Sequence, residues 1–253
     1  MEVHHHGHTE SPPAGRAGKK WTHYFWEFLM LFLAVFCGFL AENQREHYVE
    51  RQREKQYMQS MLQDLQIDLK NIALCQNEKE RMVQFADSLT LMYIDGSYKE
   101  NSGRFYYYAR NFSTYQNLFI MTDGTLSQLK NSGGLRLIRK SEIVNSLQAY
   151  DNVFNQFRLS QEREDRYLMD YRDVMAKIFD IKIFNTMVVT YPDINMPDGN
   201  PPLFNEGKQL INEMLIKVHI AKRNKLASLR YISRLKENAI MLIGLIKKEY
   251  HLQ

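Results

Sequence analysis

The hydrophobic pattern of the chain begins with an unbroken apolar run and then changes to steps of three and four. Residues 28–41 carry no charge. Apolar side chains then recur in steps of three and four from Met58 to Ile72, and they resume in phase from Met82 to Tyr93. This spacing places them on one face of an amphipathic helix. Because residues 42–94 contain no glycine or proline, one helix is predicted to continue from the apolar run to a turn at 95–103.

Two later segments repeat this periodicity and predict two further long helices. The first covers residues 141–180, with Ser141 as its N-cap, and its apolar stripe is interrupted by Gln161 and Glu164. The second runs from about Lys208 to Tyr250. The prolines downstream of the N-terminal tail all lie between these helices and predict a loop there; they are Pro192, Pro197, Pro201 and Pro202.

The segment between the first two long helices is aromatic and less regular. Residues 104–121 predict one or two short helices. Thr125 and Gln128 have the spacing of a capping box, which predicts the start of another short helix. Gly133 and Gly134 predict its end.

Together these elements predict an all-α fold, in which an N-terminal transmembrane helix continues into an elongated antiparallel helical bundle. The predicted domains are a disordered His-containing tail at 1–20, the transmembrane helix at 21–41 and the helical bundle at 42–253. The bundle carries a Pro-rich loop at 190–207.

The apolar run favours a membrane anchor over a signal peptide or a soluble core helix. Residues 28–41 alone are shorter than the roughly 20 residues of a membrane span, but a helix that starts at Trp21 covers roughly 30 Å at about 1.5 Å per residue. Tyr24, Phe25 and Trp26 add to an aromatic belt at that end. The run lacks the small residues of a cleavage site. It also changes abruptly to a charged sequence, which is unusual for a buried soluble helix.

Basic residues flank the apolar run on both sides, at 16–20 and at 45–55. The upstream group lies closer to the apolar residues, and basic residues favour the cytoplasmic side of a membrane. We therefore expect a single-pass protein of the bacterial inner membrane, with a cytoplasmic N-terminus and a periplasmic helical domain.

One face of the predicted span carries His23, Glu27, Ala34 and Gly38. Ala34 and Gly38 have the small-xxx-small spacing that lets two helices approach closely in lipid. An ionisable residue in a membrane segment is a functional hypothesis by default. Glu27 thus has three interpretations: a residue of a helix-contact face, an interfacial residue without a special role, or a group that transfers protons.

The composition narrows the classes of function. Lys and Arg number 33 against 29 Asp and Glu, without a concentrated basic patch, so a nucleic-acid partner is not expected. The mean hydropathy of −0.46 excludes a protein with many spans. Cys37 and Cys75 are predicted to lie on opposite sides of a membrane boundary, which disfavours a disulfide between them.

Candidate chemistry is sparse. His4, His5, His6 and His8 are weak metal candidates, and a disordered tail or an expression tag explains the tract as well. The charged run 161–167 lacks the histidines of a carboxylate di-metal site and is interpreted as a solvated face. Residues 134–141 resemble a phosphate-binding loop, but Arg139 stands where that motif needs glycine. We predict no catalytic residue, no cofactor and no enzymatic activity.

Several stretches resemble an uncharacterised family of single-span membrane proteins from Bacteroidota. They are MEVHHH at the start, HYFWEFLMLFLAVFCGFLAENQREH, REKQYMQSMLQDL, and LSQLKNSGGLRLIRKSEIVNSLQAY in the middle. The resemblance covers roughly residues 1–70 and 122–150 and favours a natural His tract over a tag. It implies a membrane anchor and brings no activity, substrate or catalytic residue.

These features predict a membrane-anchored interaction or scaffold protein of the cell envelope. Its partners would be the lipid bilayer and either another protein or a second copy of the chain. The alternative is a single-span sensory or signalling module, whose helical domain binds a ligand near the aromatic segment or the Pro-rich loop.

Overall fold

The structure is a computed structural model that describes residues 18–114, 118–190 and 193–252, with the backbone alone at 18–20 and 188–190. The predicted all-α fold is confirmed. The helices are α1 (Gly18–Ile94), α2 (Ser102–Phe112), α3 (Gly124–Asn131), α4 (Ser141–Met175), α5 (Ile181–Met187) and α6 (Lys208–Tyr250). A 3-10 turn covers Gly134–Leu137, and a short antiparallel pair joins β1 (Val188–Thr190) to β2 (Asp193–Ile194).

Contacts divide the chain into two compact units, Met1–Arg53 and Glu54–Gln253. The predicted boundary at 41/42 marks where a helix would leave lipid, and it stays a prediction. Of the predicted tail at 1–20, the structure describes only the backbone of residues 18–20, which is helical.

The predicted bounds of the long helices are confirmed at three ends and corrected at two. α1 ends at Ile94, directly before the predicted turn, and α6 runs from Lys208 to Tyr250. Ser141 is not the N-cap of α4 but its first helical residue, because Lys140 takes the extended N-cap position without a side-chain cap bond. α4 ends at Met175 and not near residue 180, and α5 follows after a short turn.

Within the second unit, the long connection between α1 and α4 is a leg of the bundle in its own right. Phe85 of α1 contacts Tyr108 of α2, whereas Glu54, much earlier in α1, accepts a hydrogen bond from the amide of Arg139 just before α4. The connection therefore runs antiparallel to α1. α4 returns parallel to α1, and α6 runs antiparallel to α4, as the ion pair between Lys140 and Glu249 shows. The order is up, down, up, down.

This second leg has helices at its two ends, and side chains from other helices satisfy backbone groups of the irregular residues 118–123. Gln161 of α4 accepts a hydrogen bond from the amide of Phe119 at 3.2 Å and donates one to the carbonyl of Phe119 at 3.3 Å. The amide of Thr122 donates to Asp68 of α1 at 2.8 Å. Buried backbone groups need such partners, and here tertiary contacts replace secondary structure.

Asp68 and its neighbour Asp64 also explain why the predicted capping box is wrong. The N-cap of α3 is Asp123, and Thr125 lies inside the helix with its amide donating to Asp64 at 3.2 Å. Asp68 is fully buried and accepts a second hydrogen bond from the hydroxyl of Tyr150 at 2.6 Å. Burial raises the pKa of Asp68, against the lowering effect of its hydrogen bonds.

The apolar interior of the second unit consists of two clusters along the bundle. The cluster nearest the turn at 95–101, which we name core A, includes Met82, Phe105, Phe112, Tyr171, Ile178, Met214 and Val218. The cluster on the side of Glu54, named core B, includes Leu65, Ile72, Phe119, Tyr150, Phe157, Ile232 and Leu242. Between the two clusters all three long helices place polar side chains inward.

Candidate functional site

The predicted helix-contact face lies in the first unit. Its two ionisable members pair, with Nε2 of His23 3.1 Å from Oε1 of Glu27, although their side chains are 70% and 60% exposed. A Cβ atom added to Gly38 would meet no other atom within 4 Å. Ala34 is likewise exposed. The face is thus open along the helix, and a role in helix contact stays a prediction.

The N-terminal part of α1 is long and apolar enough to cross a membrane. Its most apolar window has a mean hydropathy of 2.0, and none of that window is buried in the structure. A soluble core helix would bury such a window. This criterion rests on length and composition.

The weak metal candidates His4, His5, His6 and His8 lie outside the described residues. Within the ranges that the structure does describe, no group of three or more His, Cys, Asp or Glu side chains is placed to hold a metal ion. The interpretation of residues 161–167 as a solvated face is wrong for Gln161 and Glu164, which are only 7% and 4% exposed.

Glu164 is the centre of a buried charged layer between core A and core B. Nζ of Lys79 on α1 donates to both carboxylate oxygens of Glu164, at 2.9 and 2.8 Å. Nζ of Lys225 on α6 lies 3.5 Å from Oε2 of the same carboxylate. The three side chains are 2%, 4% and 1% exposed in the order Lys79, Glu164, Lys225. We name them the lysine–glutamate–lysine layer.

The two lysines of the layer are not equivalent. Lys79 makes two short charge-assisted hydrogen bonds, whereas Nζ of Lys225 lies at the outer limit of hydrogen-bonding distance from Glu164, at 3.5 Å, and has no shorter polar contact within the described part of the chain. The hydroxyl of Ser228, one turn after Lys225 on α6, is also buried without a hydrogen bond to any described residue. Burial lowers the pKa of Lys225 to about 8, because removal from water disfavours the ammonium more than Glu164 favours it.

Aromatic rings complete the surroundings of the two ammonium groups. Nζ of Lys79 lies 5.5 Å from the ring centre of Phe157 in core B. Nζ of Lys225 lies 5.8 Å from the ring centre of Phe112 in core A. Such contacts favour a cation modestly, so they offset only part of the cost of burying charge.

The sequence contains a signal for this layer, but the signal is divided among three helices and is not recognised when each helix is considered alone. Each of the three residues stands in the apolar stripe of its own helix, four positions from a buried apolar or small residue: Lys79 follows Cys75, Glu164 precedes Leu168, and Lys225 follows Ala221. One polar residue in the apolar stripe of a single helix indicates only that the helix tolerates a polar side chain there. A charged layer is identified only when the interruptions of all three helices are found at the same height along the bundle.

The lysine–glutamate–lysine layer can specify the alignment of three helices. A shift of any one helix by a turn, about 5.4 Å, would leave an ammonium or a carboxylate buried without a partner. A buried polar group at one core position sets register in helical assemblies at a cost in stability. The geometry here has that character, because Glu164 is the carboxylate that both buried lysines face.

A second feature is a cleft of about 190 Å³ beside the turn that joins α1 to α2. Ser88, Met92 and Asp95 of the α1 side and Arg104 and Tyr108 of α2 contribute to its lining. Asp95 accepts a hydrogen bond from the amide of Ser97 at 2.8 Å, and hydrogen bonds to Ser97 hold the pKa of Asp95 below its usual value. The exposed side chain of Arg104 forms no ion pair or hydrogen bond with the residues that the structure describes.

Comparisons of the chain with protein-family models, with curated proteins and with solved structures find no match. A functional assignment therefore depends on the exposed apolar helix, the charged layer and the cleft.

Proposed function

We propose that this chain is a membrane-anchored helical protein that acts as an interaction or scaffold component of the bacterial cell envelope. The observation that carries the proposal is the apolar part of α1, whose most apolar window has a mean hydropathy of 2.0 and no buried residue. Exposure of such a surface to water is unfavourable, and a lipid bilayer removes the cost. The resemblance to single-span proteins of Bacteroidota agrees with this proposal.

The bundle supports an interaction role more than a catalytic one. Three of its buried charged groups, Lys79, Glu164 and Lys225, face one another in the core. They are thus engaged in aligning helices. The proposed assembly contact in the membrane is the face of Ala34 and Gly38, whose small side chains permit close approach of a second copy.

Disulfide crosslinking in native membranes tests this contact. In a Cys37→Ser background, Ala34→Cys and Gly38→Cys are expected to form crosslinked dimers, because both positions share one face. Phe36→Cys is the matched control, since it lies about 200° around the helix from Ala34 at 3.6 residues per turn. Equal crosslinking at all three positions, or none at any, would contradict a specific contact between copies.

The anchor and its orientation need separate measurements. Carbonate washing of membranes is expected to leave the chain in the pellet, and release into the supernatant would exclude an anchor. In spheroplasts, added protease is expected to digest residues 42–253 if that domain is periplasmic. Protection until the membrane is permeabilised would place the domain in the cytoplasm.

A second candidate function, ligand sensing, is favoured by the cleft beside the α1–α2 turn. Asp95 and Arg104 line the same cleft without pairing with each other, so a small molecule with opposite charges can engage both. The cleft volume of about 190 Å³ suits a ligand of amino-acid size, because the pockets that bind drug-sized ligands have volumes of roughly 300–1,000 Å³.

Thermal unfolding with individual free amino acids tests the sensing function. At least one compound is expected to raise the unfolding temperature of the full chain, and Arg104→Ala is expected to abolish that shift. Lys99→Ala changes an exposed cation of the same turn and serves as the control. The sensing function fails if no amino acid shifts the transition, or if Arg104→Ala leaves the shift intact.

A further inference from the structure

The lysine–glutamate–lysine layer holds more positive than negative charge in the interior of the bundle. Lys79 and Lys225 face a single carboxylate, that of Glu164, and the hydrogen bonds of Glu164 within the layer all come from Lys79. An ammonium group without a matching anion is costly in a low-dielectric interior. The charge on Lys225 is therefore the weakest element of the layer.

The other groups around Lys225 do not remove this imbalance. α4 contributes Glu164 and, farther out, Asp165, whereas α1 contributes Lys79, which repels Lys225. α2 contributes the ring of Phe112 and no charge at this contact. On α6 itself, the nearby buried polar group is the uncharged Ser228. Loss of a proton from Lys225 would leave Lys79 and Glu164 as a balanced ion pair.

The position of the layer gives this proton a structural consequence. Core A and core B lie on either side of the layer, and Gln161, one turn before Glu164, holds the backbone of Phe119 in the second leg. Burial of the Lys225 ammonium without a matching anion costs free energy, and loss of its proton removes that cost. We propose that Lys225 is a proton-controlled device that loosens the middle of the bundle when protonated and tightens it when neutral.

The pKa of Lys225 gives the sign and the pH window of this effect. Burial lowers the pKa to about 8 in the folded chain, against 10.5 as the ordinary value of the group. Between these values the unfolded chain binds more protons than the folded chain, so stability rises with pH. The unfolding equilibrium constant falls by up to about tenfold per pH unit across the window. Below about pH 8 both states hold the proton, and the destabilisation is fully present.

The test compares the full chain with its Lys225→Met variant in detergent micelles from pH 7 to 9.5. The measured quantity is the difference between their free energies of unfolding. Burial also raises the pKa of Cys75 and of tyrosines such as Tyr150, which lowers the stability of both proteins at high pH, and the difference removes this shared effect. We expect the stability advantage of Lys225→Met to shrink as pH rises through 8. Lys236→Met, an exposed change on the same helix, is expected to follow the unmodified chain at every pH.

Hydrogen exchange, corrected for intrinsic rates, then distinguishes a local device from a global effect. In the unmodified chain, protection at 158–166 and 222–230 is expected to increase between pH 7 and 9.5 more than elsewhere, and not in Lys225→Met. A pH-independent difference in stability overturns the proposal, and so does a protection change spread evenly over the bundle.

A direct titration keeps the proposal testable if Lys225→Met does not fold. Carbon-13 spectra of the lysine side chains in the unmodified chain are expected to show one lysine that titrates more than one pH unit below the others. If every lysine titrates near the ordinary value, the proposal is wrong. This device is independent of the membrane anchor proposed above, because it concerns contacts within residues 54–253.

Discussion

Replacement of Glu164 by glutamine is expected to destabilise the bundle by about 3–5 kcal/mol. Glutamine keeps the size of the side chain but removes the charge that both Lys79 and Lys225 face. Two ammonium groups would then be buried without an anion, and the loss would exceed that of an ordinary hydrogen bond, about 0.5–1.5 kcal/mol. Chemical denaturation of the full chain in detergent micelles, followed by circular dichroism, measures the change.

The control for this variant is Glu162→Gln on the same helix. Glu162 is exposed and pairs with Arg158 at 2.8 Å on the surface, so a loss of less than about 1 kcal/mol is expected. Lys225→Met in the Glu164→Gln background is expected to restore part of the stability, because it removes one unpaired charge. If Glu164→Gln and Glu162→Gln lowered the free energy of unfolding equally, Glu164 would not balance buried charge.

Replacement of Gly103 by alanine is expected to destabilise the bundle by about 3 kcal/mol, the sum of overpacking and lost hydrogen bonds. A Cβ atom at Gly103 would lie 2.2 Å from the carbonyl oxygen of Gly199, which is backbone and cannot rotate away. The segment 199–202 would have to move off α2. It would lose the hydrogen bonds from Ser102 to the carbonyl of Pro201 and from Tyr106 to that of Pro202, at 2.6 and 3.1 Å.

The matched control is Gly244→Ala in α6, where an added Cβ atom meets nothing within 4 Å. That change is expected to stabilise the chain by about 0.5–1 kcal/mol, because alanine favours the helix. Thermal unfolding measures both variants, and limited proteolysis reports whether segment 193–207 is released in Gly103→Ala alone. A stabilising Gly103→Ala would mean that the Pro-rich loop does not pack against α2 as described.

The contact that Gly103→Ala disturbs could be predicted from the sequence only in part. The Pro-rich loop was expected from its prolines, but its attachment to the start of α2 joins residues far apart in the chain and has no local signal. The same holds for α5 and the short β1–β2 pair, which begin after residue 180, where the predicted helix ends. The sequence there has ordinary helix formers, and contacts of Phe179 and Phe184 with Tyr106 favour a turn.

Local patterns were sufficient for the all-α fold, for α1 as far as Ile94, for α6 from Lys208 to Tyr250 and for the exposed apolar helix. Each depends on periodicity, on helix-breaking residues or on apolar length, which are properties of neighbours in sequence. The irregular residues 118–123, the start of α3 and the lysine–glutamate–lysine layer depend instead on side chains of other helices, such as Asp64, Gln161 and Lys225. Their partners are chosen by burial, because a polar group removed from water must find its complement wherever the packed chain provides one.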